Sequence, residues 1–169
     1  DPRTFGEVVV FDPAYVSEHM PDLAKLGVDP LVDEFTPEIL RERFARKRGN
    51  LKATLLDQHV LAGIGNIYAD EIMHRAKLRW SRVPASLSMP TLVRLHEAIV
   101  HVLSKAVEAG GSTLDDTQYV DIDGEQGWFQ TEHRVYGRGG EQCLTCNKAR
   151  ISRTTVAGRT TCYCAVCQK

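Results

Sequence analysis

Two pairs of cysteines near the C-terminus constrain this 169-residue chain more than any other feature. Cys143 and Cys146 form the first pair, and Cys164 and Cys167 form the second. Each pair can offer two thiolates to one tetrahedral ion, and a short hairpin between the pairs can bring them together. The spacing therefore predicts a closed structural site for one Zn²⁺ ion. Two disulfides are the alternative.

Compartment and core size both bear on that choice. The sequence shows no secretory signal or transmembrane run, so we expect a reducing cytosol, where disulfides are rare. The C-terminal segment, residues 133–169, has few large apolar side chains, and structural zinc contributes folding energy to units without a core. A fifth cysteine, Cys162, is expected to be a bystander to the metal.

The small net charge of -1 hides an asymmetry along the chain. Residues 1–40 carry nine acids and two bases, whereas residues 41–169 carry nineteen bases and thirteen acids. A basic C-terminal part permits a nucleic-acid partner. A solvated surface explains the same asymmetry, so charge alone does not choose between the two.

Apolar periodicity and capping residues predict a mainly helical middle between a strand and the cysteine hairpin. We expect Asn66 to cap the third helix, and we predict that the strand pairs with something outside this sequence. The predicted elements are a buried strand at Val8–Phe11, an acidic connector over 12–35, helices at 36–48, 51–56, 66–75 and from Ser88 to Gly110, and a loop over 112–132.

The turn before the third helix has the chemistry of an anion site. Gly63 and Gly65 allow the backbone to approach an anion closely, and the helix that follows presents free N–H groups at its N-terminus. Asn66 can donate its side-chain amide, and Lys47 or Lys52 can add a positive charge. The alternative is a helical hairpin whose glycines serve only packing.

The segment 52–71 resembles the helix-two-turn-helix motif of the formamidopyrimidine-DNA glycosylase and endonuclease VIII family. The first six residues resemble the loop with which this family fills the void left by an extruded base. That loop and the Gly110–Leu114 segment favour the formamidopyrimidine branch. Further matches, in the same order as in the family, are Asp123–Phe129, Val135–Arg138, Gly158-Arg159 and the second cysteine pair.

The resemblance implies an α+β fold built from three kinds of structure. Residues 1–16 would be the last strands of an N-terminal β-sandwich, and residues 17–35 a connector. Residues 36–132 would form the helix-two-turn-helix domain with a loop on the lesion side, and residues 133–169 a β-hairpin zinc finger. Asn147 stands where the family usually has glycine, and asparagine tolerates the same left-handed backbone.

The resemblance also implies base-excision DNA repair. Family members are bifunctional glycosylases and AP lyases that excise 8-oxoguanine and formamidopyrimidines from duplex DNA. We therefore expect a monomer in the bacterial cytoplasm, associated with the nucleoid, whose partner is duplex DNA with an oxidised purine or an abasic site, and no membrane. The alternative is a stand-alone, non-catalytic, zinc-containing DNA-binding module. An unusual acidic stretch at Asp115-Asp116 leaves the preferred lesion open.

Individual roles follow from the resemblance as well. Arg3 would face the orphaned cytosine, and Phe5 would wedge between base steps. Contacts with the DNA backbone would come from Lys47, Lys52, Asn66 and Arg159. Arg159, on the zinc hairpin, would also act in the last elimination step.

The family nucleophile is the secondary amine of an N-terminal proline beside a glutamate. Pro2 follows Asp1, so its nitrogen is an amide, and it matches the void-filling loop instead. We therefore expect this chain by itself to bind DNA without excising a base. None of the six histidines is assigned to chemistry.

Overall fold

The computed structural model describes residues 9–113, 124 and 126–169. Five α-helices and one two-stranded antiparallel sheet are formed in this part of the chain. Short 3-10 turns occur at Pro13–Tyr15, Leu23–Lys25, Pro84–Ser86 and Phe129–Glu132. The helices are α1 (Val16–His19), α2 (Pro37–Phe44), α3 (Leu51–Leu55), α4 (Asn66–Arg75) and α5 (Met89–Glu108), and the strands are β1 (Ser152–Val156) and β2 (Arg159–Tyr163).

Local sequence explains where two of the helices begin. The Thr36 hydroxyl accepts a hydrogen bond from the Ile39 N–H, and Pro37 occupies the first turn of α2, where it costs no backbone bond. The Asn50 side chain caps α3 by accepting from the Ala53 N–H at 2.8 Å. Both helices therefore begin on a side-chain cap from their own segment.

Helix α4 begins differently, and the predicted capping role of Asn66 is wrong. Gly65 occupies the N-cap position and has no side chain to accept a bond, while Asn66 is the first helical residue. The first N–H groups of α4 are consequently left without a side-chain acceptor from the cap. The Asn66 amide is also released from capping its own helix.

Helix α5 forms the centre of the helical body, which comprises α2 to α5 and their connections. Its hydrophobic side chains recur at helical spacing and pack against α2 and α4. The six positions predicted from that spacing are all buried, namely Leu92, Leu95, Ile99, Val102, Leu103 and Ala106.

The N-terminal strand is a second correction. Residues 9–11 form no strand, and the side chain of Val10 is 96% exposed. Among the described residues no strand lies beside this segment to bond its backbone, so it has no ladder to join. Val8 lies outside the described residues. The rest of the predicted α+β fold, a helical domain followed by a β-hairpin, is confirmed.

The ribbon, residues 133–169, is built on the β1–β2 hairpin. The strands pair from Ser152 with Tyr163 to Val156 with Arg159. Ala157 and Gly158 form the two-residue turn with φ values of 49° and 72°. Positive φ at both positions suits the right-handed twist of a hairpin. The turn therefore places Arg159 at the exposed tip of the ribbon.

Among the described helices, none is both long enough and apolar enough to cross a bilayer.

Candidate metal centre and nucleic-acid interface

The four predicted cysteines converge at one end of the ribbon. Their Sγ atoms, from Cys143, Cys146, Cys164 and Cys167, all lie within 4.8 Å of one another. Two of the Sγ–Sγ distances are 3.8 Å and 3.7 Å. Thiolates about 2.3 Å from a tetrahedral Zn²⁺ are about 3.8 Å apart, whereas a disulfide needs about 2.05 Å. The cluster therefore fits a four-thiolate metal ion and excludes the disulfide alternative.

The thiols of the cluster differ in their electrostatic surroundings. The Lys148 N–H donates to the Cys146 sulfur and lowers the pKa of that thiol to about 7. Burial raises the pKa of Cys164 and Cys167. A bound cation would offset the cost of holding these thiolates together. Cys162 is buried but lies outside the group, and burial raises its pKa too.

Helix α4 joins the ribbon to the helical body through polar side chains. The Glu71 carboxylate accepts hydrogen bonds from the N–H groups of Arg134, Val135 and Tyr136, at 2.8 to 3.0 Å. His74 contacts the Thr145 hydroxyl at 2.8 Å and the Gln168 side-chain oxygen at 3.3 Å. Burial lowers the pKa of His74, which favours the neutral ring. Sequence reasoning missed both anchors, because Arg134 lies 63 positions from Glu71 and Thr145 lies 71 positions from His74.

Lys52 also belongs to this junction. Its ammonium donates to the Asp70 carboxylate at 2.7 Å and to the Thr160 carbonyl at 2.9 Å. The second Asp70 oxygen accepts from the Cys162 N–H at 2.8 Å. Burial lowers the pKa of Lys52 and raises that of Asp70 to about 6, while their mutual hydrogen bond opposes both shifts.

The structure therefore does not place Lys52 where the predicted contact with the DNA backbone would require it. Its side chain is 0% exposed, so a phosphate cannot reach the ammonium group. Lys52 nevertheless lies close to Arg159, one of the predicted phosphate contacts, because its acceptor Thr160 follows Arg159 directly.

Asn66 and Arg159 are brought together at one cavity. Both line a cavity of ≈ 380 Å³ with the glycine turn that precedes α4. Asn66 Oδ1 is buried and has no partner among the described atoms, whereas Arg159 is exposed. Helix N–H groups, an amide and a guanidinium form a site that suits an anion. The other lining residues are Leu56, Gln58, Gly63, Ile64 and Gly65.

Gln58 braces this cavity and was not foreseen from the sequence. Its amide donates to the carbonyls of Leu56 and Ile64, and its oxygen accepts from the Gly63 N–H at 2.9 Å. One side chain thus holds the two sides of the turn at a fixed separation. Only its position inside the turn segment hinted at this role.

Lys47 does not line the cavity, but its partner Asp57 lies between the lining residues Leu56 and Gln58 in the sequence. Its ammonium pairs with the Asp57 carboxylate at 2.9 Å, and the two side chains are 38% and 32% exposed. The hydrogen bond from Lys47 lowers the pKa of Asp57. Arg3 and Phe5, the predicted void-filling residues, lie outside the described residues.

Comparisons with known proteins identify the family of this chain. The family model of the formamidopyrimidine-DNA glycosylase H2TH domain matches residues 26–118. The chain belongs to this family. A formamidopyrimidine-DNA glycosylase from Geobacillus kaustophilus is 45% identical, with 100% of this chain matching 60% of the relative. A relative from Halalkalibacterium halodurans is 42% identical with the same coverage.

Solved structures of family members share the fold. The MutM (Fpg) protein from Thermus thermophilus superposes with a TM-score of 0.91 and 44% identity, covering 99% of this chain and 62% of that one. Lactococcus lactis Fpg bound to DNA containing an abasic site gives 0.88 and 34%, covering 100% and 60%. The chain therefore spans about 60% of the length of the relatives that it matches.

Proposed function

We propose that this chain supplies the DNA grip of a base-excision repair enzyme that removes oxidised purines and then cleaves the abasic site. The observation that carries the proposal is the shared cavity of Asn66 and Arg159 at the uncapped start of α4. These groups come from distant parts of the chain, yet they face one space large enough for a phosphate.

The physical chemistry of the cavity suits a phosphate group. The α4 N-terminus contributes directed N–H donors, and Arg159 contributes a guanidinium that matches phosphate oxygens. Exposed placement at the hairpin tip lets Arg159 reach a backbone that runs across the ribbon. Such contacts fix the register of the protein on DNA and carry no base preference.

The lesion and the metal extend the proposal. Lactococcus lactis Fpg has been crystallised with DNA containing Fapy-dG and with DNA containing an abasic site. We propose the same class of partner here, with Arg3 and Phe5 filling the void and Arg159 assisting the last elimination. One Zn²⁺ would hold the four cysteines and thereby the hairpin that carries Arg159.

In the family mechanism, cleavage of the abasic site uses the secondary amine of an N-terminal proline, which forms a Schiff base with the sugar. Every proline of this sequence follows another residue, so each proline nitrogen is an amide. We therefore propose that the 169-residue chain binds abasic DNA without the covalent step. Borohydride trapping on an abasic duplex checks this, and an efficiently formed adduct would contradict it.

The grip itself is tested by equilibrium binding to a duplex with a central tetrahydrofuran abasic analogue. Arg159→Gln should weaken binding about tenfold or more, because a charge-assisted bond is lost, and should lower the salt slope by about 1. Lys148→Gln is the matched control, since it removes one exposed positive charge from the same ribbon. Unchanged affinity in Arg159→Gln would refute the proposed grip.

A further inference from the structure

The outer edge of β2 is bonded by a buried ion pair. Thr160 and Cys162 have the same parity along β2, so their backbone groups point to the same side of the strand. Lys52 Nζ holds the Thr160 carbonyl, and Asp70 Oδ2 holds the Cys162 N–H. The ion pair thus occupies the edge where a third strand would otherwise bond.

Burying two charges is a costly way to close a strand edge. Desolvation of a buried pair commonly cancels its Coulombic attraction, so such a pair adds little stability compared with apolar residues. What the ion pair provides is a fixed geometry, because each of its hydrogen bonds holds a donor and an acceptor at a defined distance and direction. A two-stranded hairpin by itself is only marginally ordered, and so it gains most from such an anchor.

We propose that the Lys52–Asp70 pair is a positioning element that sets Arg159 against Asn66 across the phosphate cavity. The proposal rests on the proposed function of that cavity. Lys52 lies on α3 and Asp70 on α4, the helix that begins with Asn66. Arg159 directly precedes the residue whose carbonyl Lys52 holds. The pair therefore links both walls of the cavity through one set of bonds.

The other junction bonds allow the pair to be altered without detaching the ribbon. Glu71 still holds the backbone at 134–136, and His74 still contacts Thr145 and Gln168. A neutral replacement of both charges also leaves no unpaired buried charge. Loss of the pair should consequently change where Arg159 lies while the fold persists.

The test is a coupling experiment on the zinc-loaded chain with the abasic-analogue duplex. The double variant Lys52→Met/Asp70→Asn should keep one zinc per chain, bind about tenfold more weakly and lose about 1 from the salt slope. In an Arg159→Gln background the same double change should have no further effect. The matched control is Lys105→Met/Glu108→Gln, which removes an exposed ion pair of the same net charge and should leave affinity unchanged.

Four results decide the matter. Parent affinity in the double variant would overturn the proposal, and so would an equal further loss in the Arg159→Gln background. If the double variant loses its fold, Asp70→Glu is tested instead, because it keeps the charge but lengthens the side chain. This variant should stay folded and bind the duplex more weakly. Parent affinity in Asp70→Glu would overturn the proposal. If Arg159→Gln alone has no effect, the proposed grip fails instead.

Discussion

The helical body and the ribbon are held together by different physics. In the described part of the chain, the body buries a continuous cluster of aliphatic and aromatic side chains that runs from Val28 to Phe129. The cluster in the ribbon has five buried members, of which three are cysteines. The body can therefore fold by apolar burial, whereas the ribbon is held by the polar anchors of α4 and by the metal ion proposed for its four cysteines. The proposed DNA contact, which both regions share, would inherit both dependences.

Removing one metal ligand should have the largest effect, and that effect should be confined to the ribbon. Cys164→Ser should abolish zinc binding and unfold the ribbon, because three thiolates no longer close the site, while the helices of the body persist. Zinc content and amide hydrogen exchange resolved by region would measure this. Cys162→Ser is the control and should retain one zinc. A ribbon that stays protected without zinc would contradict the account.

A cavity created in the core of the body should have the opposite effect, since it should destabilise the body while the ribbon keeps its zinc. Leu95→Ala removes a fully buried side chain of α5 and should cost about 2–5 kcal/mol of unfolding free energy while zinc content stays at one. Val93→Ala, on the exposed side of the same helix, should change stability by less than about 0.5 kcal/mol. Denaturant unfolding of both variants is the measurement. Equal losses would mean that α5 is not the centre of the core.

A substitution at the junction between the body and the ribbon should destabilise the protein less than a substitution in the interior of either region. Glu71→Gln keeps the shape of the side chain but removes the charge that accepts three backbone N–H groups. We expect a loss of about 1.5–3 kcal/mol, the size of hydrogen bonds to a charged group. Exchange of the amides at 134–136 should accelerate more than exchange in α5. Glu97→Gln, on α5 away from the junction bonds, is the control, and equal acceleration in both variants would contradict the anchoring role.

The smallest expected effect is the pH dependence of stability that comes from the partly exposed Lys47–Asp57 pair. Lys47 lowers the pKa of Asp57, so the folded state favours the carboxylate. The resulting stability is present above the ordinary aspartate pKa and is lost as pH falls through the lowered value. Lys47→Met should cost about 0.2–1 kcal/mol at pH 7, because the pair is partly solvated, and the deficit should shrink as pH falls below about 4. Thermal unfolding across pH measures it; a constant deficit would contradict the assignment.

Features that depend on local spacing could be predicted from the sequence. The apolar period of α5, the two cysteine pairs and the glycine turn each report on neighbours within a few positions. Asn147 is a further case, because its φ of 52° is the left-handed backbone expected where the family has glycine. Local chemistry and the family resemblance also predicted phosphate contacts at Asn66 and Arg159, and the structure places both in one cavity.

Features that depend on distant partners could not be predicted. The family resemblance predicted a DNA-backbone contact at Lys52, but the side chain is buried because it bonds to Asp70, 18 positions away, and to Thr160, 108 positions away. The residues at 9–11 favour a strand, but a strand needs a neighbour. Asn66 has a good capping side chain, yet nothing in the sequence shows that Gly65 takes the cap position before it.

The central claim is that Asn66 and Arg159, from the two regions, bind the same phosphate. Its most direct test replaces single phosphates of the abasic-analogue duplex by neutral methylphosphonates, one position at a time, and measures affinity for the parent, Asn66→Ala and Arg159→Gln. The account predicts one position at which neutralisation weakens the parent but has no further effect on either variant. Coupling of the two variants to different phosphates, or of neither to any phosphate, would contradict it.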